Sequence, residues 1–271
     1  MCGIAGWCLA KRDVNKIKVA ELAAQMLLDI EHRGQHATGV AFIGRNGKRC
    51  VNKAAVNATT FIQKETNLCT DAPAGILHTR YATQGSPSNN GNNHPIARGR
   101  IVLTHNGQVR NDRELFRELG VPRCAQVDSE ALAALVAFAD GEPWEYLARV
   151  EGTAAVAWLE QGKRSTLHLA RINSSPLWLA QSKSGSLFYG STKQTVENAA
   201  IIAGVDIDWL YEAKEGEYFK VLDGKVVEYQ SFEKYTAKPS SEMVTYKQDD
   251  LDWENEWSYE NYKTYSKNNR R

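Results

Sequence analysis

The sequence predicts an α+β fold in which strands dominate, helices flank them and a polar tail ends the chain. Three observations predict it. Turn dipeptides separate short β-type runs at Asn46-Gly47, Ser184-Gly185 and Asp223-Gly224, and such pairs supply the positive-φ residues of tight hairpins. Apolar residues recur at spacings of three and four in a few windows between the strand candidates, the mark of a helix with one buried face. From Phe232 onward the composition turns polar, with Pro239, Ser240 and Ser241 marking a linker.

In chain order, residues 2–9 are small and apolar and read as a buried strand. Residues 15–31 read as a helix, with Ile17, Ala20, Ala24, Leu27 and Leu28 on one face, Asn15 as its cap and Gly34 supplying a left-handed turn after it. Residues 39–43 and 49–56 are the arms of the Asn46-Gly47 hairpin, and residues 75–82 and 100–105 are apolar strands. Between the last two lies a long polar loop, 84–99, of a length more often functional or mobile than idle. Residues 112–119 and 129–139 are helical. The second half returns to strands at 153–159, 166–171, 177–181, 186–190, 218–222 and 225–229, with a short helix at 195–202. In the tail, an acidic stretch with Trp253, Trp257 and Tyr259 precedes a basic end at Lys263, Lys267, Arg270 and Arg271. It reads as a loosely docked segment or as a peptide whose aromatics anchor in a partner's groove.

Composition excludes several classes. The chain has 271 residues, with 33 Lys+Arg against 32 Asp+Glu and a formal net charge of +1. That balance gives no global pull toward phosphate, so nucleic acid is not an expected partner. No apolar run is long enough to span a bilayer. The N-terminus lacks the charged and apolar regions of a secretory signal. The five cysteines, Cys2, Cys8, Cys50, Cys69 and Cys124, form no C-x-x-C pair. Reduced thiols in the cytoplasm are therefore the expectation. Gly34 separates His32 from His36 and no third ligand is evident, so no metal is predicted. No phosphate-binding loop is present, so no cofactor is predicted either.

The residues do offer amide chemistry. Cys2 follows the initiator methionine directly. Removal of Met1 would leave a thiol nucleophile and a free α-amine on one residue, and that amine titrates near ~7.7–8.0 and can move a proton at neutral pH. His105-Asn106-Gly107 closes a strand candidate, and an Asn amide with the following Gly N–H can hold an oxyanion. Arg80 offers a fork for a carboxylate. Asp128 could receive an ammonium group, although Asp-Ser before a helical run is also an ordinary N-cap.

Each piece is weak alone; their order is specific. Met1-Cys2-Gly3-Ile4-Ala5-Gly6, Glu31-His32-Arg33-Gly34, His78-Thr79-Arg80-Tyr81-Ala82-Thr83, Asn93-His94-Pro95, His105-Asn106-Gly107 and Val127-Asp128-Ser129-Glu130 together resemble the class II glutamine amidotransferase domain of the N-terminal-nucleophile hydrolases. The resemblance is greatest to the glutaminase halves of glucosamine-6-phosphate synthase and amidophosphoribosyltransferase, and covers roughly residues 2 to 230. It implies a four-layer αββα sandwich. It implies Cys2 as nucleophile, Asn106 and Gly107 as the oxyanion site, and Arg80, supported by Thr83, on the glutamine carboxylate. It places Asp128 on the α-ammonium and Arg33 and His94 in supporting positions. Two departures stand out: Tyr81 occupies a position where the sugar-phosphate enzymes have tryptophan, and Gln84 one where they have histidine.

The leading expectation is one glutaminase domain over residues 1–231, followed by a tail over 232–271. It would hydrolyse L-glutamine and pass ammonia to a separate acceptor synthase. The rival readings are an amidase for another small amide and a non-catalytic sensor or scaffold on the same fold.

Overall fold

The computed structural model describes residues 1–44, 46–64, 68 and 72–233. Most of the tail, including Trp253, Trp257 and Tyr259, lies outside the described residues. The chain runs β1 (Gly3–Cys8), α1 (Val19–Glu31), β2 (Ala37–Ile43), β3 (Arg49–Ala54), α2 (Ala58–Lys64) and β4 (Ala74–Arg80). A 3₁₀ turn (Asn90–Asn92) leads into β5 (Ile96–Arg98), β6 (Ile101–Val109), α3 (Asp112–Leu119), α4 (Ser129–Phe138) and α5 (Pro143–Leu147). Then come β7 (Gly152–Glu160), β8 (Thr166–Arg171), β9 (Trp178–Ser182), β10 (Leu187–Gly190), α6 (Lys193–Ala203), β11 (Ile207–Glu212), β12 (Glu217–Leu222) and β13 (Lys225–Ser231).

The strands sort into two antiparallel sheets. One has seven strands in the order β11-β9-β10-β1-β4-β2-β3, and the other has six in the order β13-β12-β8-β7-β6-β5. Three apolar clusters glue four layers together. Leu22, Met26 and Ile30 of α1, Phe61 of α2 and Val196 of α6 pack on Ala5, Trp7 and Leu77 of the first sheet. Ile4, Ile76, Val102, Ala155 and Leu169 fill the space between the sheets. Leu115, Leu132, Leu135 and Leu147 of α3, α4 and α5 cover Leu103 and Val109 of the second sheet. This is the αββα sandwich that the resemblance implied. Both faces of each sheet are covered, which is why the central strands read as apolar runs rather than as an alternation of apolar and polar residues.

Where the structure departs from the sequence reading, local cause is visible. Helix α1 begins at Val19, because Asn15 is spent in a turn where Lys16 and Ile17 N–H donate to Asp13 O. Gly34 is not left-handed; it is small because a Cβ there would collide with the backbone of Arg80. The first hairpin has a longer connection than two residues, since Ile43 and Arg49 are the last pair and Gly44 N–H bonds Lys48 O at 2.9 Å. Asp223-Gly224 forms the tight turn as read, with φ of 50° and 83° between the paired Leu222 and Lys225. Helices α2 and α5 and strands β5 and β11 lacked a sequence signal; α2, α5 and β5 have seven, five and three residues, too few for a period to show, and β11, Ile207–Glu212, does not alternate apolar with polar residues.

Candidate active site

The site is built where the start of β1, the end of β4, the later part of β6 and the start of α4 come together. β1 pairs with β4 so that Gly3 lies opposite Thr79. Cys2, one residue before β1, is thereby set beside Arg80, the last residue of β4. Its Sγ lies 3.6 Å from the Tyr81 carbonyl oxygen and accepts the Tyr81 N–H at 3.4 Å. Gly3 is required for this approach: a Cβ there would come within 2.7 Å of Thr79 Oγ1 and 2.8 Å of Ile30 Cβ. Arg33 Nε donates to Cys2 O at 2.9 Å, which fixes the direction in which the chain leaves the sheet.

Across the interlayer space stands β6. Its side chains alternate, with Val102 in the core between the sheets and Leu103 in the core beneath α4. By that alternation Asn106 faces the first sheet. His78 Nε2 meets His105 O at 3.1 Å, a direct tie between β4 and β6. Asn106 and Gly107 therefore lie within β6, which stays paired with β7 as far as Val109. The sequence reading had placed them at a strand end. Asn106 is only 1% exposed, and its Nδ2 has no hydrogen-bond partner among the described residues. It is one of twelve buried side-chain atoms among the described residues without a partner. Gly107 has φ of 145°, and a Cβ there would collide with the Thr153 carbonyl.

Asp128 is the N-cap that the sequence allowed, and it also ties α4 to β6. It caps α4, its Oδ1 accepting Ser129 N–H at 2.9 Å. Its Oδ2 accepts Val109 N–H at 2.6 Å and so anchors the end of β6. Ser129 Oγ in turn bonds His105 Nδ1 at 2.8 Å. The Arg80 guanidinium is already engaged: Nη1 donates to Asn93 Oδ1 at 2.7 Å, and Nη2 to the carbonyls of Gln84 and Gly85 at 2.5 and 2.8 Å. Nε–H and one Nη1 hydrogen, on different edges of the guanidinium, take no part in these bonds. Thr83 is exposed on the loop that follows β4.

Charge and burial tune the thiol. Burial pushes the Cys2 thiol up from its ordinary value, and Asp128 adds to that push. The Tyr81 backbone, the chain's amino terminus and Arg80 pull the other way without overcoming it. Cys2 at rest is thus a thiol that needs a base. His94 is buried and stacks on His78 with ring centroids 4.0 Å apart. Burial lowers both, His78 to about 3 and His94 well below its ordinary value, and His105 shifts the same way. The three rings lie together, with His94 and His105 centroids 6.5 Å apart, and burial favours their neutral forms.

The sequence reading missed how the loop 84–99 works. It is not a free loop: Asn92 and Asn93 are fully buried within it. Gln84, noted only as a departure, joins the two sides of the site. Its carbonyl accepts from Arg80, while its Oε1 accepts Asp128 N–H at 3.2 Å. Glycine, serine and asparagine density signalled a special loop, but nothing local showed which carbonyls would meet Arg80.

A two-sheet sandwich with a thiol at the mouth of its first strand and an open amide donor opposite defines the N-terminal-nucleophile hydrolase architecture. Residues 78–198 match the family model described as the glutamine amidotransferase domain. The glutamine–fructose-6-phosphate aminotransferase (isomerizing) of Rhizobium meliloti is 33% identical over 242 residues, or 84% of this chain and 38% of that protein. The Caulobacter vibrioides enzyme of the same name is 34% identical over 229 residues, covering 80% of this chain and 35% of its own length. The chain thus spans little more than a third of these relatives. Among solved structures, glutamine phosphoribosylpyrophosphate amidotransferase from B. subtilis aligns with a TM-score of 0.67 at 21% identity, over 85% of this chain and 49% of that one. The chain belongs to the class II glutamine amidotransferase family and carries its domain.

Proposed function

We propose that this domain hydrolyses L-glutamine to glutamate and ammonia through a glutamyl thioester on Cys2, and that the ammonia serves a separate acceptor enzyme. The observation that carries this reading is the open, buried Asn106 amide facing the sheet whose edge presents Cys2 and Arg80. Loss of Met1 gives Cys2 its own α-amine. That amine takes the thiol proton as Sγ attacks the side-chain amide carbon of glutamine. Asn106 Nδ2 and the Gly107 N–H hold the oxyanion. The α-amine returns the proton to the leaving nitrogen, the C–N bond breaks and ammonia departs. Water, deprotonated by the same amine, then cleaves the thioester and releases glutamate. Arg80 binds the substrate carboxylate, with Thr83 beside it, and Asp128 binds the α-ammonium. Arg33 supports the nucleophile through Cys2 O, and His94, stacked on His78, has a supporting role.

The unit that does this is proposed to end at about Ser231, with the tail 232–271 outside it. The relatives' names, which pair glutamine with an acceptor substrate, support an acceptor for the ammonia. No helix among the described residues is long and apolar enough to cross a membrane; a cytoplasmic location remains part of this proposal. The test is glutamate release by purified protein whose intact mass shows loss of Met1. Wild type should release glutamate and Cys2→Ala should not. Equal rates from the two, with and without candidate acceptors, would defeat the proposal. Preference for N-acetylglutamine over glutamine would defeat the assignments of Arg80 and Asp128 alone.

A further inference from the structure

Lys53 lies on β3, the edge strand of the first sheet, with no assigned role. It nevertheless holds the loop that holds Arg80. Its Nζ donates to Asn93 O at 2.5 Å and to Pro95 O at 3.1 Å. Asn93 Oδ1 is the acceptor for Arg80 Nη1. The same asparagine donates from Nδ2 to Pro87 O at 2.8 Å and to Asn90 Oδ1 at 3.1 Å. Asn90 Nδ2 closes a ring by donating to Lys53 O at 2.9 Å. Lys53, Asn90 and Asn93 thus bind one another through side chain and backbone alike. Asn93 is fully buried within this ring.

The first sheet is shaped for this contact. Gly39 of β2 pairs with Lys53 and with His78. A Cβ at Gly39 would collide with the His94 carbonyl and come within 2.9 Å of Pro95 Cδ. The missing side chain lets the His94-Pro95 segment lie on the sheet, within reach of Lys53 Nζ.

We infer that Lys53 is a positioning residue for glutamine binding: through Asn93 it orients the Arg80 guanidinium toward the substrate carboxylate. The inference rests on the assignment of Arg80 made above. A neutral donor could tie two carbonyls, so the cation has a distinguishing consequence. Arg80 and Lys53 are like charges held in one locality, with the His78 and His94 rings also facing Lys53 and Arg49 on its own strand. Burial first, and Arg80 second, lower the Lys53 ammonium to about 8. An open concavity of about 560 Å³ beside Asn90 and Pro95 gives solvent access for the proton. Below that pH the ammonium holds both carbonyls. Above it the amine is neutral and the charge-assisted bonds, the stronger kind, are gone.

The experiment is steady-state glutamate release as a function of glutamine concentration, from pH 6.5 to 9, for wild type, Lys53→Met and Lys53→Arg. Lys53→Met should raise KM by about ten-fold or more with kcat within about three-fold, the pattern of lost ground-state binding. Lys53→Arg keeps a forked cation that never titrates in this range. It should hold KM near the wild-type value at neutral pH and remove the part of the KM rise above about pH 8 that wild type shows. An active wild type with an unchanged KM in Lys53→Met overturns the inference and leaves the functional assignment standing. If Lys53→Met fails to fold, the Lys53→Arg comparison decides: a KM rise identical to wild type overturns it. A wild type without Cys2-dependent release would instead remove the functional assignment beneath it.

Discussion

Replacing Asn106 by alanine separates catalysis from stability in a way the structure makes quantitative. Asn106 is almost wholly buried and its Nδ2 has no partner among the described residues. In the resting protein that donor contributes no hydrogen bond, and leaving such a group unpaired costs ~1–3 kcal/mol. Truncation removes that cost while leaving a small void of comparable cost, since cavities penalise buried truncations. The net change in unfolding free energy should therefore be small, below ~1.5 kcal/mol. Catalysis should respond very differently. Losing one oxyanion donor costs ~2.7–4 kcal/mol, about 10²–10³ in kcat. KM should hardly move, because the oxyanion exists only along the reaction path. The assays are glutamate release over a glutamine series and urea unfolding of the same preparation. A kcat within about three-fold of wild type, in a variant of native stability, would refute the oxyanion reasoning. Asn93→Ala is the contrasting control. Both its amide atoms are bonded, to Arg80, Pro87 and Asn90, so it should lose stability as well as substrate affinity.

Two further outcomes follow from buried charge. Arg98 and Glu130 form a 2.8 Å ion pair with side chains 3% and 1% exposed, and Glu130 also accepts the N–H groups of Cys124 and Ala125. Burial pushes its carboxyl up, against the pull of Arg98, so Glu130→Ala removes the carboxylate that balances a buried guanidinium and should lower unfolding free energy by ~3–5 kcal/mol; a urea midpoint equal to wild type would show the pair to be dispensable. His78 and His168 are depressed by burial to about 3 each, against ~6.5 in the unfolded chain. The unfolded state therefore takes up protons first, and stability that is complete above pH ~6.5 falls as the pH drops toward 3. At pH 5.5 the two together should cost ~3 kcal/mol relative to pH 7.5. Urea titrations at the two pH values check this, and coincident midpoints would contradict the buried neutral state of these rings.

Part of this molecule was legible in the sequence, because the signals concerned are local. Asp223-Gly224 stated its own turn, and α3 and β8 came out with the bounds read from pattern alone, at Asp112–Leu119 and Thr166–Arg171. Order along the chain also identified the family and with it the layers. Local preference misled where a longer ladder overruled it. Asn-Gly favours a turn, yet Asn106-Gly107 runs on as a strand because nine register pairs with β7 outweigh the dipeptide. A glycine after α1 suggested a left-handed cap, yet Gly34 answers to the backbone of Arg80, 46 positions later by subtraction (80 − 34).

By itself the sequence determined which chemical groups are present, the runs that become strands and helices, and the family. The tertiary structure alone decided how the groups meet. The β1–β4 register sets Cys2 beside Arg80, alternation along β6 turns Asn106 toward the first sheet, and Asp128 joins β6 through the N–H of Val109. It also decided that three of the five Arg80 donors are spent on its own loop, one of them on Asn93, whose carbonyl accepts from Lys53. The physical reason is range. Turns and helix faces depend on neighbours a few residues apart, whereas the site is closed by hydrogen bonds and packing between segments that only the stacking of two sheets brings together.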